Sequence, residues 1–286
     1  TMKDILFKYK SIIVAFSVII ICLIITNYIT YSKLTMSRLK PNIQEEVDTL
    51  EVIVYDTVAV DSIMDKIPTI VLVIDDFGYR NDSVSDGFLE LSVPITCAII
   101  PGHSQSQKFA QKAFAAGKEV IIHMPMESSL NTPGEDEYKI KSGMTSEEIE
   151  WRIREVLKEI PEAIGMNNHQ GSKATTSGKV MSVLGSVLKA NNKFFIDSRT
   201  TSKTVAEETM RSIGVPTIRR HVFLDNDDLE NKILERMEEV ARLAQKQGVA
   251  VAIGHAKPNT LKVIKDILPR LLADGYQFEF ASNVVK

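Results

Sequence analysis

Cysteine is scarce in this chain, its charge is nearly balanced, and no internal repeat or low-complexity tract is visible. Each absence narrows what the protein can be. The two cysteines are Cys22, inside a very apolar stretch, and Cys97, inside a run that reads as a buried strand. Neither is placed to bridge the other, so no disulfide framework organises the fold and cysteine usage identifies no compartment. A net charge of -3 and a pI near 6.0 leave no bulk electrostatic basis for binding nucleic acid or another polyanion. There is no Cys-x-x-Cys pair and no His-Glu-x-x-His helix, so any metal site has to be assembled from dispersed residues.

What is present is enough hydrophobic residue, 44% of 286, to build a real core. Between Lys10 and Lys33 no residue is charged, and Ile12 to Ile25 is almost continuously aliphatic or aromatic. At ~1.5 Å per residue the uncharged stretch Ser11 to Ser32 is long enough for a bilayer core of roughly 30 Å. Lys3, Lys8 and Lys10 precede it, and no small-x-small cleavage site follows it, which favours an uncleaved signal anchor over a cleaved signal peptide. A short tail before the span and a large domain after it predict an extracytoplasmic domain on a single-pass membrane protein. The expected organisation is an anchor over residues 1–32, a polar tether over 33–67 and a globular domain over 68–286, with one alternating patch, Val52 to Val60, inside the tether.

After Pro68 short apolar runs alternate with segments of helical period, the pattern of βα units on a parallel sheet. Strands are expected at Thr69–Ile74, Thr96–Ile100, Glu119–Ile122, Ala163–Met166, Phe194–Ile196, Thr217–Ile218, Val249–Ile253 and Gln277–Phe280. Helices are expected at Ser83–Leu91, Ser104–Ala116, Thr145–Ile160, Ser177–Ala190, Val205–Ile213, Leu229–Lys246 and Asn259–Ala273. Thr145 with Glu148 forms a capping-box signal, and Gly117, Gly214, Gly248 and Gly275 stand where helix C-termini need a left-handed residue. Seven or eight such units, with no Gly-rich phosphate loop after the first strand, predict an α/β barrel over an open doubly wound sheet.

Polar residues follow the runs. Asp75-Asp76-Phe77-Gly78 follows the first, Pro101-Gly102-His103 the second, His123 to Glu127 the third, and Asn167-Asn168-His169 the fourth. Asp197-Ser198-Arg199, Arg219-Arg220-His221 and Gly254-His255 follow the next three. All five histidines therefore stand at expected strand C-terminal ends, the face on which barrel active sites are built. Imidazole nitrogen with carboxylate oxygen suits a divalent cation, and Asp75 or Asp76 with His123 and His169 supplies such a set from three strands. Taken singly, these residues also have bland readings: Asp75-Asp76 as a turn pair, Glu127 as a solvated loop carboxylate, Asp197 and Arg199 as an ion pair between loops.

The wording and order of Ile74-Asp75-Asp76-Phe77-Gly78, Pro101-Gly102, Glu119 to Glu127, Gly165 to Ser172, Phe195 to Thr200, Phe223-Leu224-Asp225-Asn226 and Gly254-His255 resemble the divergent polysaccharide deacetylase family, a distant branch of the nodulation-type carbohydrate esterases. The resemblance covers Pro68 to the C-terminus. It implies a distorted (β/α)7-8 barrel holding a divalent metal, most often Zn2+, that removes acetyl groups from N-acetylated sugars of a polysaccharide. By position it implies Asp75 as general base, Asp76 and His123 as metal ligands and His255 as general acid, with Asp197 and Arg199 orienting acid and base. Glu127 stands where the ordinary deacetylases have their second ligand histidine, and His169 is the residue that restores the imidazole. Glu127, Asn168 and His103 are then candidates for contact with substrate. The alternative is a non-catalytic envelope protein that binds a glycan or a partner in a deacetylase-like cleft; a different metal-dependent hydrolase on the same barrel is a third reading.

Overall fold

A computed structural model describes residues 67–130 and 135–286. The expected anchor, and the tether with its alternating patch, fall in residues 1–66, outside the described residues. Among the described residues no helix is long and apolar enough to cross a membrane.

Among the described residues nine strands form one sheet: β1 (Thr69–Phe77), β2 (Thr96–Ile99), β3 (Glu119–Met126), β4 (Gly165–Gln170), β5 (Phe194–Asp197), β6 (Thr217–Arg219), β7 (Val222–Phe223), β8 (Val249–His255) and β9 (Gln277–Glu279). Helices α1 (Ser83–Leu89), α2 (Ser106–Ala115), α3 (Ser146–Glu159), α4 (Gly178–Ala190), α5 (Ala206–Ile213), α6 (Glu230–Gln247) and α7 (Pro258–Ala273) connect them. Their ends follow local chemistry. Thr145 and Glu148 cap α3 reciprocally, through Glu148 N to Thr145 Oγ1 at 3.2 Å and Thr145 N to Glu148 Oε2 at 2.7 Å. Gly214 ends α5 with φ of 81°, a conformation that costs a side-chain-bearing residue strain.

Every strand pair is parallel, in the order β6-β5-β4-β3-β2-β1-β8-β7. On the side of β1 away from β8, β9 pairs with Thr69 to Val71 and β2 with the residues from Val73 onward. Although β6 and β7 stand at opposite ends of this order, only Arg220 and His221 separate them in the chain. At no more than about 3.6 Å per residue, so short a link forces the two edges to face each other, and the sheet curls into a barrel. Thr217 and Lys286 exchange backbone hydrogen bonds at the β6 edge of this seam. β7 was not expected from the sequence, because a two-residue strand carries no periodicity; it follows β6 with no helix between, so this pair is not a βα unit.

Alternation along the strands sorts side chains into two cores. Ile70, Leu72 and Ile74 of β1 face the helices, with Phe109, Ile153, Leu184 and Leu268 in the same buried cluster. Val71 and Val73 face the barrel axis with Ala98, Ile121, Ile196, Val251 and Ile253. Burying each such aliphatic side chain contributes about 1.5–3 kcal/mol, so strands buried on both faces are strongly held. The C-terminal residues plug the barrel from below: Ala281 N donates to Thr96 Oγ1 at 3.1 Å and Ser282 N to Glu119 Oε1 at 3.3 Å. The axial core thus becomes a solid floor for whatever stands at the upper strand ends.

Candidate metal centre and active site

One step above the floor, the inward positions turn polar. Asp75 pairs with His255 across β1 and β8, one alternation above Val73 and Ile253. His123 pairs with Asn167 across β3 and β4, one alternation above Ile121, and His169 pairs with Pro125 two residues further on. Asp76 ought to point outward as the neighbour of Asp75. Instead the β1–β2 register slips between Ile74 and Phe77, and Asp76 takes φ of 67°. Such a bulge re-aims a side chain, and here it brings both carboxylates to one cavity.

The result is a compact donor set. His123 Nε2 lies 3.4 Å from Asp76 Oδ1 and 3.5 Å from Asp75 Oδ2. His169 Nδ1 lies 3.0 Å from His123 Nε2 and 3.3 Å from Asp76 Oδ1. One ligand atom from each of Asp76, His123 and His169 falls within 4.8 Å of the others, and the three form a group that could hold a metal ion. Asp76 Oδ1 is buried without a hydrogen-bond partner, an arrangement that costs free energy unless a cation or donor meets it. Two imidazole nitrogens and a carboxylate oxygen are the donors a zinc-like cation takes.

Hydrogen bonds fix which nitrogen of His123 is available. Asn167 Nδ2 donates to Asp75 Oδ1 at 2.8 Å, so its Oδ1 is the atom 2.7 Å from His123 Nδ1 and accepts the proton there. His123 Nε2 therefore offers its lone pair to the cavity. Burial raises the pKa of Asp75 from its ordinary value, against the opposing charges of His123 and His255. Burial also works against ionisation of Asp76, but the facing imidazoles of His123 and His169 outweigh it and hold that carboxyl well below its ordinary value. Across the cavity, His255 Nδ1 donates to Asp225 Oδ1 at 2.8 Å, while Nε2 stands 3.8 Å from Asp76 Oδ2. Burial alone would lower the pKa of His255; the bond and charge of Asp225, then Asp76 and Asp75, push it up to about 9.

With this arrangement in view, comparison with known proteins decides the family. The family described as "Divergent polysaccharide deacetylase" matches residues 72–285. The chain belongs to that family. An Escherichia coli protein named "Uncharacterized protein YibQ" is 36% identical over 203 residues, 71% of this chain and 63% of its own length. The chain thus spans less than two thirds of that relative. A Haemophilus influenzae protein is 33% identical over 224 residues, 78% of this chain and 79% of its own. The crystal structure of an uncharacterized protein from Agrobacterium tumefaciens shares the fold, with a TM-score of 0.71 at 17% identity, covering 76% of this chain and 89% of the other.

In this member of the family, the structure brings Asp75, Asp76, His123, His169 and His255 together and distributes the other expected residues differently. Glu127 does not turn to the triad: Ser142 N and Oγ donate to its Oε2 at 2.8 and 2.6 Å, and Lys173 Nζ to its Oε1 at 2.8 Å. Asn168 is on the wrong alternation for substrate contact, and its amide bonds Gln170 O and Ser198 N. Asp197 follows Ile196 of the axial core and so faces outward; Arg199 N and Thr204 Oγ1 occupy its oxygens at 2.8 and 3.0 Å. It shapes the loop after β5, and pairing with His255 falls to Asp225. Arg199 contributes its backbone to that loop, while Arg220 braces it through Ser198 O and Arg199 O. His221 leaves the expected histidine cluster because it precedes β7: its Nδ1 accepts Val251 N at 2.9 Å, level with the floor. His103 does stand at the rim, its ring 4.3 Å from that of Tyr79.

Sequence reasoning assigned no role to Asn167, Asp225, Tyr79 or Glu135. Asn167 was readable, since inward His169 on a strand puts residue 167, not 168, on the same face. Asp225 lay inside a matched motif with no role attached. Glu135 comes from a loop without periodicity, and nothing short of the structure would place its carboxylate near His169 and Tyr79.

Proposed function

We propose that this protein is a cation-dependent hydrolase, with zinc as the cation, that removes acetyl groups from N-acetylated sugars of an envelope polysaccharide. The observation that carries this reading is the convergence of His123 Nε2, His169 Nδ1 and the unpartnered Asp76 Oδ1, flanked by one acid and one base candidate. When bound there, a divalent cation polarises the acetamide carbonyl and lowers the pKa of water toward ~7.

The chain's own residues complete the proton inventory. Asp75, held by Asn167 and close to the donor set, accepts the proton of the attacking water. His255, kept protonated by Asp225, gives a proton to the departing sugar amine. Amide hydrolysis needs one proton taken and one given, and the two groups stand at paired positions of adjacent strands. The envelope assignment rests on the uncharged stretch Ser11 to Ser32 as a membrane anchor with the domain on the extracytoplasmic side. A membrane-impermeant labelling reagent tests that placement; modification only after lysis would refute it.

Acetate release from N-acetylated oligosaccharides, measured beside metal content, tests the chemistry. Asp75→Asn and His255→Ala are expected to retain the cation and lose about 10²–10⁴-fold in turnover. Unchanged hydrolysis in either variant refutes its assigned role. Absence of both stoichiometric metal and acetate release would favour the non-catalytic glycan-binding reading.

A further inference from the structure

Glu135 stands over the donor set with one oxygen committed and one free. Tyr79 OH donates to Oε1 at 2.6 Å, and His103 Nε2 lies 3.8 Å from the same atom. Oε2 lies 3.9 Å from His169 Nε2, is buried and has no hydrogen-bond partner. The side chain as a whole is only 8% exposed, and its backbone takes φ of 48°, a conformation that a non-glycine residue adopts at a cost. A buried carboxylate oxygen without a donor, at the end of a strained backbone, is stable only if something else completes its surroundings.

The two ligand histidines are arranged as mirror cases. His123 directs Nε2 at Asp76 because Asn167 accepts from Nδ1. His169 directs Nδ1 at the same carboxylate and at His123 Nε2, so with a cation held between them its remaining proton sits on Nε2, the nitrogen facing Glu135. Histidines that bind metals generally donate their second ring N–H to a carboxylate or carbonyl, which fixes both tautomer and ring orientation. Asn167 supplies that partner for His123. For His169 Glu135 is the carboxylate in position, and Tyr79 orients it.

We propose that Glu135 is a positioning residue for the cation site: it accepts the Nε2 proton of His169 and thereby leaves Nδ1 as the ligating nitrogen. This rests on the cation-dependent reading of the triad and goes beyond it. Position 127 does not supply an imidazole, so the site relies on a histidine from β4, and that histidine relies on a carboxylate from a different loop. Glu135 is outside the three-residue donor group itself, consistent with a role exerted through His169.

Zinc affinity of the 286-residue chain, measured by competition with a chromophoric chelator, provides the test. Glu135→Ala is expected to weaken zinc binding by about 10- to 100-fold, the usual cost of losing such a partner. Glu135→Gln, which keeps an acceptor oxygen, restores most of the affinity. In ¹⁵N spectra of the zinc-loaded protein, His169 carries a protonated Nε2 and a metal-shifted Nδ1, and Glu135→Ala loses that fixed tautomer. If the wild type binds zinc through His169 and Glu135→Ala binds as tightly, or if His169 ligates through Nε2, the proposal is overturned while the cation reading stands. If the wild-type chain takes up no zinc, both fall.

Discussion

Replacing Asp225 by asparagine should uncouple His255 from its charge. The Asp225 carboxylate accepts His255 Nδ1 and His255 N, each at 2.8 Å, and Thr260 Oγ1 at 2.6 Å, and it is 1% exposed. Despite burial, which opposes protonation, this environment pushes His255 from 6.5 up to about 9. A displacement of about 2.5 on the pH scale, at ~1.4 kcal/mol for each unit, corresponds to about 3–4 kcal/mol in favour of the protonated form. Because the folded value is raised, the associated stability is fully present below pH ~6.5 and is lost as pH rises through about 9. In Asp225→Asn the amide can accept one backbone bond but offers no charge, so the imidazole turns neutral and the window closes. The assays are an NMR titration of the His255 ring and denaturant unfolding between pH 6 and 10, both on metal-free protein. The alkaline limb of hydrolysis should move to lower pH in the variant. A His255 titration that stays near 9 in Asp225→Asn would refute the reasoning, since Asp225 would then not be what holds the proton.

Two further substitutions probe other links in the chain of argument. Glu127→His restores the imidazole that ordinary deacetylases carry there, yet it should leave zinc affinity unchanged, because this position faces Ser142 and Lys173 and not the triad; a rise in affinity measured by chelator competition would show that the side chain can swing inward. Gly78→Ala should lower the melting temperature by the equivalent of at least about 1–3 kcal/mol, since φ is 110° and a Cβ would meet Ile100 O at 2.7 Å; wild-type melting would mean that the turn after Asp76 relaxes freely.

The strands and helices were legible because their faces are apolar at regular intervals, and alternation alone carries the argument well up β3 and β4. Ile121 and His123 share a face, as do Asn167 and His169, so once His169 is taken as inward the choice of Asn167 over Asn168 follows without coordinates. The same rule turns Asp197 outward from Ile196. Family resemblance, which matches motifs without tracking which face each residue occupies, favoured Asp197, and the choice of Asn168 as a substrate contact likewise did not count the strand in twos. Where regularity ends, alternation no longer places a side chain, and of the irregular positions the resemblance named a role only for Asp76. Asp76 reaches the cavity only because β1 slips register and its backbone turns left-handed, Asp225 follows a strand of two residues, and Glu135 sits on a loop with positive φ. Among the described residues, Asp76 and Glu135 also have a buried carboxylate oxygen that lacks a partner, and Ser198 Oγ in the loop after β5 lacks one too. Strain and unmet polar atoms coincide at one end of the barrel because both are tolerated only where a floor of packed aliphatic residues over-determines the backbone. A ligand bound there would complete the hydrogen bonding that folding leaves open.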